Sequence, residues 1–274
     1  MAPKLDMSQA WNEAVAMIKA NRDMVLIVAG VFFLLPNLAM SLLMPLPPES
    51  PAMAGGGQAN FEPVAAAMVA WFSEVWWVFL LVGLAQALGT FALLTLLTDR
   101  SRPTVGEALG FGAKALPTYL GAQILTGLGF AVVFALVIVL AQAVPVIGVL
   151  AGLLAVVGAL YAMIKLSLIS PVIGIEKEMN PLAAMKQSWR LTKGNSLRIL
   201  AFFVLLGVAV IVISAVAGLV LSAFTLLGDE VGLIVGALGN GVVTMAVVVV
   251  MVAALAGVYR QLAGTGTNVG ETFE

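Results

Sequence analysis

Six long apolar runs alternate with short polar segments along the chain. Crossing a hydrocarbon layer of about 30 Å takes about 20 helical residues, and each run is at least that long. The pattern therefore predicts an all-α integral membrane protein with six transmembrane helices. The runs are Met24–Met44, Val75–Leu97, Thr118–Gln142, Val146–Ile169, Leu197–Ser222 and Gly232–Tyr259.

Positive charge falls only in alternate connections between these runs. All thirteen Lys and Arg residues lie in the N-terminal segment, the second-to-third connection, the fourth-to-fifth connection with its adjoining helix ends, or the C-terminal tail. The opposite connections hold acidic residues such as Glu74 and Asp229 and no cation. Because Lys and Arg near helix ends are retained in the cytoplasm, we expect a multi-pass protein of the bacterial inner (cytoplasmic) membrane with both termini cytoplasmic.

Three of the cytoplasmic segments have the spacing of short amphipathic helices at the membrane interface. The first is predicted to start at the N-cap residue Ser8. The second starts at Thr104, which has a glutamate three residues on, as in a capping box. The third starts at Asn180, with Pro181 at the first helical position, and stops at Gly194. Each of them precedes an odd-numbered span.

This arrangement is consistent with an internal threefold repeat of an interfacial helix followed by a transmembrane hairpin. The units would cover residues 8–97, 104–169 and 180–259 of a single membrane domain, 1–274. The first unit would be lengthened by an outer loop at 45–70, rich in Pro and then in Gly, which leads to a short amphipathic helix near Phe61–Ser73. The alternative is that any six-span protein has three inner segments, in which amphipathic patterns arise easily.

The third cytoplasmic helix combines basic and apolar faces. Lys186, Arg190 and Lys193 are spaced at i, i+4 and i+7 and so share one face, while Trp189 lies on an adjoining face. A helix of this kind lies in the headgroup plane and attracts anionic phospholipid. With Arg198 nearby, these residues form our candidate site for lipid or a partner protein. The alternative is that the cations only set the orientation of the chain and contact phosphate in passing.

Few polar side chains interrupt the apolar runs, and none of those near mid-span is a carboxylate. A transporter should have a continuous cavity lined by several of these side chains, whereas a scaffold should have a filled interior with the amides paired. Pro36 is expected to kink the first span, and the amide beside it is the best candidate for an opening within the bundle. The candidate intramembrane polar residues are Asn37, Gln86, Gln123, Gln142 and Asn240.

Composition argues against intrinsic catalysis. The chain has no His and no Cys, which removes the commonest general base, a common metal ligand and the thiol nucleophile. Glu176 and Glu178 are close in sequence but flank Lys177 in a segment that is expected to be solvated. We expect no enzyme activity, no cofactor and no metal. Nor is a nucleic-acid partner expected, because the membrane topology accounts for every cation.

Residues 171–200, PVIGIEKEMNPLAAMKQSWRLTKGNSLRIL, contain a recognisable motif. Its elements are Pro171, Glu176, Ala183 or Ala184, Ser188, Trp189, Leu191, Lys193 and Gly194. The motif resembles the signature of a bacterial family that includes the membrane domain fused to some glycerophosphodiester phosphodiesterases, together with stand-alone relatives of uncertain role. The resemblance implies a six-helix membrane domain. It carries over no catalytic residues, since the phosphodiesterase activity belongs to a separate soluble domain, so a link to that chemistry would need a partner chain.

Two functions remain open at the level of sequence. The leading hypothesis is a non-catalytic inner-membrane module that binds anionic lipid or a partner protein through its basic cytoplasmic surface. The alternative is a transporter of a lipid or amphiphilic small molecule that is too apolar to need charged groups along its path.

Overall fold

A computed structural model describes residues 4–45 and 61–264, and within these ranges every regular element is helical. A short helix, α1 (Met7–Ala20), precedes the first long helix, α2 (Arg22–Leu43). The elements that follow are α3 (Phe61–Thr98), α4 (Val105–Ala143), α5 (Pro145–Leu166), α6 (Ile169–Ile175), α7 (Pro181–Leu191), α8 (Ser196–Ser222), a 3-10 turn (Ala223–Leu227) and α9 (Asp229–Leu262).

Six helical segments are long and apolar enough to cross a membrane, which indicates a multi-pass membrane protein. Helices α2, α3, α4, α8 and α9 each supply one of them, and α5 together with α6 supplies the remaining one, Pro145–Ile175. The sequence-based expectation of an all-helical chain with six helices of spanning length is therefore confirmed. Helices α3 and α4 extend well beyond the apolar runs that predicted them, both at their N-terminal ends.

The second predicted interfacial helix is not a separate element. Thr104 does cap it in a capping box, since the Glu107 N–H donates to Thr104 Oγ1 and the Thr104 N–H donates to the Glu107 carboxylate at 2.8 Å. From there the helix continues for 39 residues, through Pro117 and into the span. The prediction of a separate short helix was wrong here, because one buried stripe runs from the first turn into the span and holds the helix together across the proline. The stripe consists of Ala108, Gly112, Ala115, Thr118 and Ala122.

The first predicted interfacial helix is separate, but it starts slightly earlier than expected. Asp6, rather than Ser8, is its N-cap, and the Gln9 N–H donates to Asp6 Oδ1 at 3.0 Å. The Asp6 N–H in turn donates to Gln261 Oε1 at 3.1 Å, so the end of α9 fixes the capping residue. This tertiary contact, which the local sequence does not reveal, explains the shift.

Helix α1 packs along α9 through small side chains. Ala10, Ala14 and Met17 form its buried face, whereas Trp11 is 41% exposed. The contact is close: a Cβ added at Gly257 of α9 would lie only 2.6 Å from the Ala10 carbonyl oxygen. The backbone of α1 therefore lies directly against the backbone of α9 at Gly257.

Helix α2 changes its winding just before its proline. Residues Gly30–Leu34 form a π turn, and Pro36 follows at the start of the next α-helical stretch, Leu35–Leu43. Because proline has no N–H to donate to the previous turn, a local change of winding accommodates it. The Asn37 side-chain amide donates to the Phe33 carbonyl at 2.6 Å, within the same helix.

The buried core lies in the half of the bundle that carries the basic segments. Two contacts bring those segments together: Lys177 Nζ lies 3.2 Å from Asp99 Oδ2, and the Leu5 N–H donates to Asn195 Oδ1 at 3.0 Å. We call this half the basic end, because it contains all thirteen Lys and Arg residues. Its fully buried side chains include Phe33, Phe91, Leu94, Leu168, Ile173 and Ile199.

Toward the other end the helices present more apolar surface. The most apolar windows of α3 and α9 are each 44% buried, whereas that of α4 is 0% and that of α8 is 17% buried. An apolar helix with so little burial within the protein is suited to contact with lipid. The amphipathic helix expected near Phe61–Ser73 is the first part of α3, while residues 46–60 of the predicted outer loop lie outside the described residues. The threefold repeat stays a prediction.

Candidate functional site

Lys165 lies on the last turn of α5 and is 2% exposed. Its ammonium is flanked by two aromatic rings, with Nζ 5.4 Å from the centroid of Tyr161 and 5.8 Å from that of Trp189. The two rings meet edge to face at 5.9 Å. Aromatic faces attract a cation at such distances, and a cation near a helix C-terminus is also stabilised by the helix dipole. A buried positive charge is thus held where α5 meets α7.

Ser188 and Thr192, both fully buried on and just after α7, attach this helix to the end of α5. The Ser188 hydroxyl donates to the Lys165 carbonyl at 2.7 Å, and its oxygen accepts from the Leu168 N–H at 3.2 Å. The last carbonyls of a helix lack intrahelical donors, so Ser188 pairs a carbonyl that the helix leaves open, and the Thr192 hydroxyl approaches the same carbonyl at 3.5 Å. This gives a structural reason for the Ser188 of the sequence motif.

Helix α7 starts where its sequence predicts. Asn180 caps it, since its side-chain oxygen accepts from the N–H groups of Leu182 and Ala183. Beyond its last residue, Leu191, a turn covers residues 192–195 and contains Gly194, whose φ of 84° is the left-handed conformation that glycine favours. Gly194 therefore allows the chain to turn from α7 into α8.

A cavity of about 1050 Å³ opens in front of Lys165 and is lined by both α5 and α7. Two carboxylates also line it, but both are engaged: Glu176 accepts from the Gln187 amide at 2.9 Å and Glu178 accepts from the Asn180 N–H at 2.9 Å. Four cations against two carboxylates leave the cavity positive. We call it the basic niche, and its cations are Lys165, Lys186, Arg190 and Lys193.

Most of the predicted binding residues meet in this niche. Lys186, Trp189, Arg190 and Lys193 all line it. Arg198 does not; its guanidinium donates to the Leu5 carbonyl at 3.3 Å, beside the N-terminal segment. Sequence reasoning did not include Lys165 or Tyr161 in the site, because they are distant along the chain and only the packing of α5 on α7 brings them in.

The five intramembrane amides do not converge. Gln123, Gln142 and Asn240 are exposed, and Asn37 and Gln86 are half-buried. Gln123 approaches the Tyr119 hydroxyl on its own helix at 3.3 Å, and Asn37 bonds within α2. None of the five lines the basic niche or three further cavities in the described part of the chain, which lie between α4 and α5, among the basic connections, and between α8 and α9.

A second cavity, of about 690 Å³, lies between α4 and α5 and is almost entirely apolar. Its one hydroxyl, that of Thr126, is bonded to the Ala122 carbonyl. Leu166 and Met185 line both this cavity and the basic niche, so the two adjoin. We call it the apolar cleft. Sequence reasoning missed it, although glycines on both facing helices, Gly129 and Gly158, are a signal for such a space.

A third cavity, of about 1030 Å³, lies among the connections at the basic end. Asp99 and Lys177 form an ion pair at its wall. Hydrogen bonds from the Ser101 N–H and hydroxyl, and then the Lys177 ammonium, lower the pKa of the Asp99 carboxyl below its usual range. Arg102 and Lys177 both have positive φ, an uncommon conformation for residues with a Cβ.

Within residues 4–45 and 61–264 there is no group of three His, Cys, Asp or Glu side chains placed to hold a metal ion. The arrangement that the chain does offer is a positive, aromatic-walled niche beside an apolar cleft. Such an arrangement is chemically complementary to a molecule with a negative head and an apolar tail.

Comparison with known proteins gives one result. No curated protein and no solved structure matches the chain. The resemblance of residues 171–200 to the membrane domain associated with glycerophosphodiester phosphodiesterases therefore stays a prediction. The sequence model of a domain of unknown function matches residues 6–262, and the chain belongs to that family, DUF7847.

Proposed function

We propose that this protein is a non-catalytic membrane module that binds anionic phospholipid in the basic niche. The observation that supports this most strongly is the position of Lys165, a buried cation between Tyr161 and Trp189 at the head of a cavity that three further cations line. A phosphate is the complementary group, because it accepts hydrogen bonds from both ammonium and guanidinium donors.

The cations of the niche are available for such a ligand. The three ion pairs within the described residues are Arg22–Asp23, Lys177–Asp99 and Arg260–Glu13, and none of them involves a niche cation. Each Lys or Arg near an anionic membrane surface contributes about 1 kcal/mol. Trp189 and Tyr161 are each about half exposed, as suits aromatic side chains at a membrane–water interface.

The proposal includes an orientation. With the basic end in the cytoplasm of a bacterial cell, the niche would meet the inner leaflet of the cytoplasmic membrane, whose surface is negative. The distribution of the thirteen cations supports this orientation.

Two alternative functions would involve the basic niche or the apolar cleft. A partner protein with an acidic segment could occupy the exposed part of the niche. A transporter of lipid or amphiphile is favoured by the apolar cleft, which gives a chain-like ligand a path along α4 and α5. The placement of the five amides away from the four cavities argues against a polar transport path.

The test is to replace Lys186, Arg190 and Lys193 together by Gln and to measure retained lipids by native mass spectrometry in nanodiscs. If these cations bind headgroups, the loss of about 3 kcal/mol should weaken retention of phosphatidylglycerol roughly a hundredfold at low salt. The difference from wild type should shrink as salt rises.

The matched control replaces Lys19, Arg22 and Lys114, which belong to the same end but are exposed and line none of the four cavities. It should retain acidic lipid as wild type does. Equal retention by all three proteins would refute the proposed function and leave the three niche cations as an orientation signal.

A further inference from the structure

The basic niche and the apolar cleft share a boundary. Leu166, at the end of α5, and Met185, on α7, line both of them. A ligand with a negative head and an apolar tail could therefore occupy both spaces at once. We propose that they form one site for a single anionic phospholipid, with its phosphate beside Lys165 and one acyl chain in the cleft; this inference rests on the proposed function.

The cleft has the length and direction that an acyl chain needs. On α4 it is lined from Leu125 to Leu140, which at 1.5 Å per residue corresponds to about 22 Å. One leaflet of a hydrocarbon core is about 15 Å thick, half of about 30 Å. The cleft begins at the niche and continues toward the opposite end of the bundle, as an acyl chain does below its headgroup.

Small residues create the space. A Cβ added at Gly129 on α4 or at Gly158 on α5 would meet no atom within 4 Å, although the two helices pack closely near their connection, where a Cβ at Gly148 would overlap Ala141. Ala159 and Ala162 continue the small surface of α5 toward the niche. The helices thus touch at one end and leave room at the other, and hydrocarbon in that room gains dispersion contacts with both walls.

The charge at the head of the cleft favours a phospholipid over a neutral amphiphile. Lys165 is buried, and burial of a cation at membrane depth is unfavourable without a partner. A phosphate at the mouth of the niche would supply that partner, with Lys186 and Arg190 as further donors. The acyl chain would then lie between α4 and α5, directly below.

The experiment fills the cleft without touching a charge. Gly129→Leu and Gly158→Leu would each place a side chain in it, singly and together. Gly127→Leu is the matched control, since Gly127 also has no atom within 4 Å of an added Cβ but does not line the cleft. All three changes raise helix propensity similarly, so effects on folding are matched. Thermal unfolding shows which variants are folded. If the double variant does not fold, the two single variants are sufficient for the test.

The readout is native mass spectrometry in nanodiscs of equal parts phosphatidylglycerol and phosphatidylcholine. We expect the amount of bound phosphatidylglycerol to fall at least tenfold in the cleft variants. Gly127→Leu should bind as much as wild type. A second arm adds inorganic phosphate, with chloride at the same ionic strength as reference. Phosphate alone should not displace the lipid, because it makes none of the acyl contacts.

The possible results separate the two proposals. If the Lys186/Arg190/Lys193 variant loses lipid while the cleft variants retain it, the acyl-chain inference is overturned and the proposed function stands. Displacement by phosphate would overturn the inference in the same way. If the triple Gln variant retains the lipid, the proposed function fails. If the triple Gln variant and the cleft variants both lose the lipid while Gly127→Leu retains it, the niche and the cleft form one site.

Discussion

At the scale of single residues, Lys165 is the only charged side chain that is buried among the residues described. Its ammonium lies near two aromatic rings, that of Tyr161 on α5 and that of Trp189 on α7. Cation–π contacts of this kind contribute about 0.5–2 kcal/mol each, less than the penalty of burying a charge in a membrane protein. An anionic ligand beside the ammonium would offset the part of the burial penalty that the cation–π contacts leave.

Replacing Lys165 by Met removes the charge and keeps most of the apolar stem. We predict a loss of acidic lipid of about tenfold, together with an unchanged or raised melting temperature, because a buried charge is removed. Native mass spectrometry and thermal unfolding in detergent measure the two effects. A variant that melts earlier yet retains its lipid would show that Lys165 is structural.

Asp99 provides a prediction about pH. Its pKa is lowered by Ser101 and Lys177, so its contribution to stability is fully present above the unfolded-state value, near 3.8, and is lost as pH falls through the lower native value. Asp99→Asn should therefore melt earlier than wild type near neutral pH, and the difference should shrink as pH falls below 3.8 and vanish only below the lower native pKa. Asp23→Asn, which breaks only the exposed ion pair with Arg22, should change little at any pH. A difference between Asp99→Asn and wild type that persists in acid would exclude the charge as the cause.

Lys186 and Arg190 could be assigned to the site from sequence, because helical spacing places them on one face of α7. Lys193 was predicted to continue this face, but it lies in the turn after Leu191 and lines the niche from there. Lys165 and Tyr161 could not be assigned to the site in this way. They join it through the Ser188 hydroxyl, which binds the end of α5, and such a contact between distant segments has no local sequence signal.

At the scale of elements, the close approach of α1 to α9 depends on Gly257. The Ala10 carbonyl lies where a Cβ at this position would be, so Gly257→Ala should push α1 away from the bundle. We predict faster labelling of a Cys placed at Ala14, which is 2% exposed in the docked helix. The native chain has no Cys, so the label reports this site alone.

Gly236→Ala is the matched control on the same helix, since an added Cβ there meets nothing within 4 Å. It should leave the labelling rate unchanged. If Gly257→Ala also leaves it unchanged, α1 is held by other contacts.

Apolar runs predicted the six helices of spanning length, because the length of an apolar segment sets whether a helix is long enough to cross a membrane. The boundaries were harder where packing extends a helix beyond its apolar part. Pro117 is a local signal for a break, yet the buried stripe on both sides of it keeps α4 continuous. For α1, the contact between Asp6 and Gln261 moves the start away from Ser8. Tertiary contacts override the local signal in both cases.

At the scale of the whole molecule, the cations lie at one end and the apolar, weakly buried helix surfaces lie toward the other. If the basic end is cytoplasmic, Cys at residues 55 or 229 should be labelled by impermeant reagents in intact cells. Cys at residues 107 or 187 should be labelled only after permeabilisation. Labelling at residue 187 from outside would reverse the proposed orientation.

The central claim is that an anionic phospholipid occupies the niche and the adjoining cleft. The most direct measurement is photo-crosslinking in membranes with phosphatidylglycerol that has a diazirine in its acyl chain, followed by mapping of the labelled peptides. We predict labelling concentrated on residues 125–140 of α4 and 151–166 of α5, and a loss of that concentration when the same diazirine is placed in phosphatidylcholine. Even labelling of all the spans, or equal labelling by the two lipids, would contradict the claim.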